Sequence, residues 1–400
     1  MDLALAKRLA RPNTTKIILC VLDGLGGLPR SETQRSELEQ ARCPNLDRLA
    51  TRSEVGLTTP VGLGITPGSG PGHLALFGYD PYVYDIGRGV LEAVGIDFEL
   101  SPTDVAARGN FCTLDADRKI TDRRAGRVAT ETSSKLIERL RAIELPGVEL
   151  FLEPVREHRF VLVLRGEGLG DQVTTTDPQV TGVTPLTAQG ADDASQNTAA
   201  LVNEFVLRAE DLLRDQPQAN GLMLRGFAKY PSLPDFGETW GLRAAALAVY
   251  PMYRGLAKLA GMDALACPGG LEEQLAVVKQ RWDDYDFFFI HYKKTDAAGE
   301  DGDFERKTHA VEEFDSWLPG LLDLDPDVLM IAGDHSTPAL MAAHSWHPVP
   351  FLLSSRYCRQ GGAENFNEAE CLKGSLGIFP AVESLPLAMA HAMRLEKYGA

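Results

Sequence analysis

The strongest constraint on the fold comes from four apolar runs that lack polar alternation. They lie within residues 15–29, 285–296, 327–338 and 349–356, and the apolar part of each except the last is followed by a segment with acidic or other ionisable side chains that could form a site. A strand that is apolar on both faces is typical of a parallel sheet covered by helices. Helical patterns lie between the runs, so the sequence predicts an α/β domain whose functional groups gather at the carboxyl ends of its strands.

The middle of the chain has a different character. Residues 86–235 hold more alternating strand patterns, more turns and several arginines, including those of "TDRRAGR" at 121–127. The acids that end predicted strands lie before and after this region. We therefore expect a smaller α/β or α+β domain over 86–235, inserted into a first domain made of 1–85 and 236–400.

The charge balance narrows the range of partners. The 400 residues carry a formal net charge of −16, and an acidic surface argues against non-specific binding to nucleic acids or anionic membranes. No apolar run approaches the roughly 20 residues of a membrane span, and no secretory signal pattern opens the sequence. The six cysteines show neither a CxxC pair nor a metal-ligand spacing. We expect a cytoplasmic protein with no nucleic-acid or membrane partner, in which an anionic substrate would need a locally basic pocket.

Two glycine-rich segments fail as nucleotide-binding motifs. In "DGLGGLP" the third glycine of a dinucleotide fingerprint is replaced by Pro29. In "PGSGPGHLALFGYDP", at 67–81, a phosphate-binding loop would need Gly-Lys-Ser/Thr from position 73, where His73 stands. Two alternatives remain for this segment at this point: a glycine-rich turn without chemistry, or a turn that presents Ser69 as a reactive group.

Carboxylates and imidazoles follow the predicted strands in a pattern that favours metal binding. Oxygen ligands with one or two imidazoles suit Mg²⁺, Mn²⁺ or Zn²⁺, and two such clusters suit a pair of ions about 3.5–4 Å apart. A serine beside the pair can lose its proton and attack phosphorus. Each residue alone also has a structural interpretation, as a helix cap or a packed histidine. The candidates are Asp23, Ser69, Asp296, Glu300, Asp301, Asp334, His335, His344 and His347.

Taken together, these segments resemble the cofactor-independent phosphoglycerate mutases, in the archaeal-type branch of the alkaline phosphatase superfamily. The motifs "GRGVLEAVG", "DRRAGR" and "GDHSTP" are specific to that branch, and matching segments run in order along nearly the whole chain. The resemblance implies an alkaline-phosphatase-like, mostly parallel sheet flanked by helices. It also implies interconversion of 3-phosphoglycerate and 2-phosphoglycerate in glycolysis and gluconeogenesis, without 2,3-bisphosphoglycerate.

The resemblance further implies a role for each metal-site residue. Ser69 would be the nucleophile that becomes phosphoserine. Glu300 stands where the family usually has histidine, and a carboxylate there favours Mg²⁺ or Mn²⁺ over Co²⁺ or Zn²⁺. His347 stands where many relatives carry an acid, and a surface position is favoured over a compensating metal ligand. One ion would lie among Asp23, Ser69, Asp334 and His335, and the second among Asp296, Glu300 and His344.

The implied substrate is a small polyanion, so convergent cations are expected. Arginine binds carboxylate and phosphate through paired hydrogen bonds, although an isolated arginine is usually a solvated surface charge. His73, one helical turn after Ser69, is a substrate contact, a support for the serine or a packing residue. Asp122 is a candidate proton shuttle. The predicted substrate-binding residues are His73, Asp122, Arg123, Arg124, Arg127, Arg159, Arg225 and Arg254.

Two other functions remain compatible with the sequence. The first is another two-metal phosphomutase or a phosphatase of the same superfamily, which would differ in whether free phosphate is released. The second is a non-catalytic metabolite-binding relative, an alternative raised by Glu300. The arginine-rich middle region favours a mutase because a hydrolase has no need to retain the dephosphorylated product.

Overall fold

The computed structural model describes residues 1–267, 269–359 and 362–399. The chain forms two compact units: the first contains Met1–Asp85, Leu233–Val249 and Ala260–Ala400, and the second contains Ile86–Ser232 and Tyr250–Leu259. The predicted division differs from these units at residues 233–235, which it assigned to the inserted domain, and at 250–259, which it assigned to the first domain. No described helix is both long enough and apolar enough to cross a membrane.

The described residues form thirteen strands, fourteen α-helices and two short 3₁₀ helices at Ala125–Arg127 and Ala381–Glu383. The strands are β1 (Ile17–Leu22), β2 (Glu54–Thr59), β3 (Asp104–Leu114), β4 (Ile120–Asp122), β5 (Glu149–Arg156), β6 (Arg159–Arg165), β7 (Gly221–Ala228), β8 (Ala244–Leu247), β9 (Asp263–Ala264), β10 (Phe287–Tyr292), β11 (Val328–Ala332), β12 (Val349–Ser355) and β13 (Gly377–Pro380). The helices are α1 (Leu3–Leu9), α2 (Glu37–Gln40), α3 (Pro44–Ala50), α4 (Ser69–Leu76), α5 (Arg88–Gly95), α6 (Thr130–Leu140), α7 (Asp193–Leu213), α8 (Phe236–Trp240), α9 (Pro251–Leu259), α10 (Leu271–Gln280), α11 (Lys294–Glu300), α12 (Phe304–Leu322), α13 (Glu368–Lys373) and α14 (Ser384–His391).

The first unit is built on a mostly parallel sheet, which confirms the predicted fold class. Its strand order is β13-β2-β12-β11-β1-β10-β8-β9. The four apolar runs of the sequence become β1, β10, β11 and β12, but β12 is antiparallel to both of its neighbours. The parallel direction predicted for the last run was therefore wrong. A strand inside a covered sheet is apolar on both faces whether it runs parallel or antiparallel to its neighbours. The apolar pattern therefore indicates burial and does not indicate strand direction.

Burial on both faces of β1 explains its uninterrupted apolar sequence. Every residue of β1 is fully buried. On one face, Ile18 and Cys20 share a hydrophobic cluster with Phe314, Trp317 and Leu321 of α12. This packing fixes β1 between β10 and β11, and it aligns the carboxyl ends of three parallel strands at one edge of the sheet.

The second unit contains an antiparallel sheet with helices, so of the two predicted classes it is α+β. The strand order is β4-β3-β6-β5, and β7 pairs with β3 on its other side. A separate hydrophobic cluster, with Phe111, Phe160 and Phe205 fully buried within it, joins this sheet to α6 and α7. Helix α9 packs against α5, both within this unit, and that contact explains why residues 250–259 belong here.

Candidate active site

The acids and histidines predicted at strand ends lie at one edge of the first unit's sheet. Asp23 directly follows β1, and Asp334 and His335 follow β11. Asp296 lies in the first turn of α11, which begins after β10. Because β10, β1 and β11 are adjacent and parallel, these four side chains meet at the same edge.

Three buried ligand atoms converge beside Ser69. A carboxylate oxygen of Asp23, one of Asp334 and a ring nitrogen of His335 all lie within 4.8 Å of one another. His335 Nε2 lies 3.4 Å from Asp23 Oδ1 and 3.2 Å from Asp334 Oδ2. The same nitrogen is 3.2 Å from Ser69 Oγ, and the serine is 4% exposed. The serine hydroxyl therefore borders a group of atoms that could hold a cation.

A second set of ligand atoms adjoins the first. Asp296, His335 and His344 each offer an atom within 4.8 Å of the other two. His344 Nε2 lies 3.5 Å from Asp296 Oδ1 and 3.7 Å from Glu300 Oε1. Its Nδ1 lies 3.0 Å from the Pro67 carbonyl. A proton donated from Nδ1 to that carbonyl leaves the Nε2 lone pair directed at the carboxylates, as metal ligation requires.

The hydroxyl of Thr337 orients residues of both sets. It donates to Asp296 Oδ1 at 2.7 Å, and it lies 2.9 Å from His335 Nδ1. The backbone N–H of Gly24 donates to Asp334 Oδ1 at 3.0 Å. These contacts fix the ring of His335 with Nε2 toward Ser69, so the ligand atoms are held in place before any ion binds.

Helix α4 brings Ser69 against the loop that carries Asp334. The serine is the first residue of the helix, and Gly68 precedes it in an extended conformation. A Cβ atom at Gly72 would lie 2.1 Å from the Asp334 carbonyl oxygen. Only glycine therefore allows this approach, which explains part of the glycine-rich sequence around the serine.

His73 does not fit the predicted contact with substrate. It has no exposed surface, and its Nδ1 lies 3.1 Å from Asp334 Oδ2 and 2.8 Å from the Ser69 carbonyl. Burial opposes protonation, but the Asp334 carboxylate outweighs it and raises the pKa of His73. The contacts favour the alternative that His73 supports the serine and the Asp334 ligand.

Two further residues, Lys293 and His291, partner Asp23. Lys293 Nζ lies 3.1 Å from Asp23 Oδ2 and 2.5 Å from Asp296 Oδ2, so it bridges the two ligand sets. His291 Nε2 is 2.9 Å from Asp23 Oδ2. Burial would raise the pKa of Asp23, but Lys293, His291 and His335 outweigh it and hold that pKa well below its usual range. Asp23 is therefore ionised and able to bind a cation.

The ligand atoms at this edge of the sheet are of the kinds that bind divalent cations. Oxygen and imidazole donors dominate, and three of the acids are fully buried in the structure. Asp23 Oδ1 is buried and accepts no hydrogen bond from the described residues. An oxygen left in this state is costly unless a cation binds it.

Two of the candidate residues lie apart from the ligand atoms. Asp301 pairs with Arg306 at 2.7 Å. His347 Nδ1 lies 3.0 Å from Ser345 Oγ, and its ring stacks on Trp346. His347 is half-buried, and both residues lie outside the two groups of described ligand atoms.

Arginines gather around Asp177 in the second unit. Arg123 makes two hydrogen bonds to the Asp177 carboxylate, at 3.2 and 2.8 Å, and Arg225 Nη1 lies 3.9 Å from it. Burial, with the nearby charges of Arg88, Arg123 and Arg159, lowers the pKa of Arg225 to about 10 although Asp177 opposes the shift. These four arginines lie close enough to influence one another, and Asp177 is the acid that pairs with Arg123 and Arg225.

A fifth arginine adds to the same concentration of charge. Arg108 is 6% exposed, and its Nε lies 3.6 Å from Glu92 Oε1. Burial and the neighbouring arginines hold the pKa of Arg108 well below its usual range. Burial together with Arg159 and Arg108 also lowers the pKa of His158 to about 3, so that ring is neutral. Positive charge in excess of the nearby acids favours binding of an anion.

The turn at 121–127 contributes less directly than predicted. The Asp122 carboxylate accepts the N–H groups of Arg124 at 2.8 Å and Gly126 at 2.6 Å, so it shapes the turn. Arg124 and Arg127 are exposed, although their charges help to lower the pKa of His158. These contacts favour a structural role for Asp122 over the predicted proton shuttle.

Arg254 has different surroundings from those predicted. The prediction assigned it to the first domain, whereas α9 carries it within the second unit. Its Nη2 lies 3.5 Å from Asp97 Oδ2, and Lys258 pairs with the same carboxylate.

Comparison with known proteins gives the same assignment as the motifs. Residues 50–219 match the profile of a family described as 2,3-bisphosphoglycerate-independent phosphoglycerate mutase. A relative from Thermus thermophilus, named as a probable member, is 52% identical over 100% of both chains. One from Deinococcus radiodurans, with the same name, is 50% identical over 98% of each chain. The chain belongs to this family.

Solved structures extend the assignment to the fold. A protein of Pyrococcus horikoshii is 30% identical, with a TM-score of 0.83 over 97% of this chain and 100% of that one. The cofactor-independent phosphoglycerate mutase from Thermoplasma acidophilum is 28% identical, with a TM-score of 0.64 over 94% of this chain and 100% of that one. The predicted family and fold class are both confirmed.

Several side chains at these sites were not predicted from the sequence, although they lie beside family motifs. Lys293 stands in the strand-ending segment "HYKKTD", and Thr337 in "GDHSTP". Arg88 belongs to "GRGVLEAVG" and Arg108 to "RGNF". A charged or hydroxyl residue inside a family motif was the signal that could have identified them.

Lys307 ties together the two loops that carry the ligands. It is fully buried in α12, and its Nζ donates to the carbonyls of Gly26 at 2.9 Å and Thr337 at 2.8 Å. Glu37 Oε1 lies 3.9 Å from the same ammonium and accepts the N–H of Ala339 at 2.6 Å. The lysine therefore holds the loop after β1 against the loop after β11.

Replacing Lys307 with methionine is expected to destabilise the first unit by about 3–5 kcal/mol, because Glu37 would remain buried without its cation. All four tryptophans lie in that unit, so denaturant unfolding followed by their fluorescence measures the effect. The exposed pair of Lys294 with Glu313 provides the control, since Lys294→Met should cost less than about 1 kcal/mol. Equal effects of the two substitutions would contradict the role assigned to Lys307.

Proposed function

We propose that this chain interconverts 3-phosphoglycerate and 2-phosphoglycerate through a phosphoserine at Ser69, without 2,3-bisphosphoglycerate. The observation that carries the proposal is the position of the Ser69 hydroxyl, 3.2 Å from His335 Nε2 at the rim of two adjoining groups of metal-ligand atoms. Membership of the phosphoglycerate mutase family supports the same reaction.

The ligand atoms support binding of two divalent ions. Their oxygen-rich character favours Mg²⁺ or Mn²⁺, with Co²⁺ and Zn²⁺ as weaker candidates. When bound, the ions lower the pKa of a nearby hydroxyl and offset charge on the phosphoryl group. One ion would be held by Asp23, Ser69, Asp334 and His335, and the other by Asp296, Glu300 and His344.

The reaction consists of two transfers that reverse one another. In the first, Ser69 Oγ forms a bond to phosphorus as the bond from phosphorus to one glycerate oxygen breaks, and that oxygen gains the proton the serine has lost. In the second, the oxygen of the other glycerate hydroxyl forms a bond to phosphorus as the bond from phosphorus to Ser69 Oγ breaks, and Ser69 Oγ gains the proton that this hydroxyl loses. Thr337 and His73 keep the groups around the serine in place during both transfers.

The arginines around Asp177 would bind the carboxylate of the substrate's glycerate part. Arg123 is oriented by two hydrogen bonds to Asp177, and the remaining donors of Arg159 and Arg225 suit a carboxylate. Retention of dephosphorylated glycerate distinguishes a mutase from a hydrolase. The excess of positive charge at this cluster therefore supports the mutase over a phosphatase.

The proposed function is tested by product analysis with the metal-free protein. We expect 3-phosphoglycerate to be converted to 2-phosphoglycerate, detected with an enolase-coupled assay, when Mn²⁺ or Mg²⁺ is added and 2,3-bisphosphoglycerate is absent. A chelator should abolish turnover, and re-addition of metal should restore it. Release of free phosphate without isomerised product would overturn the proposal in favour of a hydrolase.

Replacing Arg225 with methionine is expected to lower kcat/KM about 10- to 100-fold. The substitution removes a guanidinium group that would form a charged hydrogen bond to the substrate. The Asp177 carboxylate would keep its two hydrogen bonds to Arg123. Arg139, which pairs with Asp215 at the surface, provides the matched control. Steady-state kinetics should leave Arg139→Met close to the unmodified enzyme, and an unchanged kcat/KM in Arg225→Met would exclude the proposed contact.

A further inference from the structure

A third group of ligand atoms lies at the opposite edge of the first unit's sheet. Glu54 opens β2, and Cys358 follows β12. His391 is the last residue of α14. Glu54 pairs with Leu353 near the end of β12. The end of β12 lies beside the start of β11, whereas Asp334 and His335 follow the end of β11. The group is therefore separate from the Ser69 site.

The three side chains converge on one point. A carboxylate oxygen of Glu54, a ring nitrogen of His391 and Sγ of Cys358 all lie within 4.8 Å of one another. Glu54 Oε2 is 3.5 Å from His391 Nε2, and two such ligands on a tetrahedral Zn²⁺ would be about 3.4 Å apart. The sulfur would need to approach its partners by roughly 1 Å at most.

One of the three groups, the Glu54 carboxylate, has no close hydrogen-bond partner among the described residues. The Glu54 side chain is 10% exposed and accepts no hydrogen bond from the described residues. It faces His391 at a distance too long for a strong hydrogen bond. A nearly buried carboxylate directed at an imidazole and a thiol is satisfied by a cation placed among the three.

Neighbouring contacts favour the orientation that ligation needs. His391 Nδ1 lies 2.7 Å from Ser355 Oγ, which also accepts the N–H of Tyr357 at 3.1 Å. A proton on Nδ1, shared with the hydroxyl, leaves the Nε2 lone pair facing Glu54. The Cys358 thiol donates to the Leu353 carbonyl at 3.2 Å, and its side chain is partly exposed. An ion from solvent can therefore reach the sulfur.

We propose that Glu54, Cys358 and His391 form a site for Zn²⁺ that is distinct from the metal ions of catalysis. A thiolate with an imidazole suits Zn²⁺, whereas Mg²⁺ selects oxygen ligands. Binding releases the thiol proton to solvent as the sulfur becomes a ligand. The ion joins the start of β2, the segment after β12 and the end of α14, and so stabilises that edge of the first unit.

Cobalt provides a direct test on the full-length protein because a thiolate ligand gives Co²⁺ a charge-transfer absorption in the near ultraviolet. The ligands proposed for the Ser69 site contain no sulfur, so ions bound there do not contribute to this band. We expect the metal-free protein to develop the band on addition of Co²⁺. Zn²⁺ should remove it at a concentration where Mg²⁺ has no effect.

Substitutions assign the band to its residues. Cys358→Ser should abolish it while mutase activity is retained, and Cys267→Ser, which removes a buried cysteine elsewhere in the first unit, should leave it unchanged. Glu54→Gln and His391→Gln should each weaken Co²⁺ affinity at this site roughly tenfold or more. Absence of the band in the unmodified protein, or its persistence in Cys358→Ser, would overturn the proposal. Loss of mutase activity in every sample would count against the proposed function and not against this site.

Discussion

Replacement of Ser69 by alanine is expected to lower kcat for the mutase reaction by about 10⁴-fold or more, because the group that accepts the phosphoryl is removed. The hydroxyl is almost buried and lies within hydrogen-bond distance of His335. The side chain occupies the first position of α4, where alanine is compatible with the helix. The loss should therefore be one of chemistry with the fold intact.

Two measurements separate this chemistry from a structural effect. Ser53 is also buried, and its hydroxyl donates to the Leu49 carbonyl, so Ser53→Ala is a matched control that should retain turnover. Enzyme quenched with acid during turnover should carry phosphate on the peptide containing Ser69, as detected by mass spectrometry. Undiminished turnover in Ser69→Ala, or phosphate on a different residue, would exclude the proposed nucleophile.

The location of the Ser69 site was predictable because its signal is local. Four of the proposed ligands follow a strand within four residues, and the strands are recognisable from their burial on both faces; the four are Asp23, Asp296, Asp334 and His335. Asp23 and Asp334 could thus be placed at one edge without knowledge of the packing. This part of the prediction needs only two facts: the residues directly follow strands in the sequence, and parallel strands end at the same edge of a sheet.

Other features depend on contacts between distant segments, and local patterns do not encode them. The direction of β12 follows from its connections, since burial alone is the same for either direction. Lys307 reads as an ordinary helix residue in the sequence, yet it reaches the carbonyls of Gly26 and Thr337. Likewise, Arg108 and Arg225 meet because β3 pairs with β7, a pairing that the motif "DRRAGR" does not reveal.

Glu300 stands where the resemblance to the family implies a histidine, and its position supports the proposed direct role. It lies four residues after Asp296 in α11, so both carboxylates occupy the same face of that helix. Glu300 Oε1 is 3.7 Å from His344 Nε2, and the side chain is 43% exposed. Under the proposed function, a carboxylate in this place would add a ligand to Asp296 and His344 and would make the second ion site harder in character.

Replacing Glu300 with alanine is expected to raise the Mn²⁺ concentration needed for half-maximal activity about 10- to 100-fold, because one direct ligand is lost. Saturating metal should then recover part of kcat. Glu300→His should restore tight binding but shift the preferred ion from Mg²⁺ or Mn²⁺ toward Co²⁺ or Zn²⁺, since imidazole is the softer ligand.

Activity titrations of the metal-free enzyme with each ion distinguish these outcomes. Asp301, the next residue, pairs with Arg306 and provides the control, because Asp301→Ala removes an adjacent carboxylate without removing a proposed ligand. If Glu300→Ala and Asp301→Ala showed the same metal dependence as the unmodified enzyme, Glu300 would lie outside the metal site. The second ion would then depend on Asp296 and His344 with ligands from solvent.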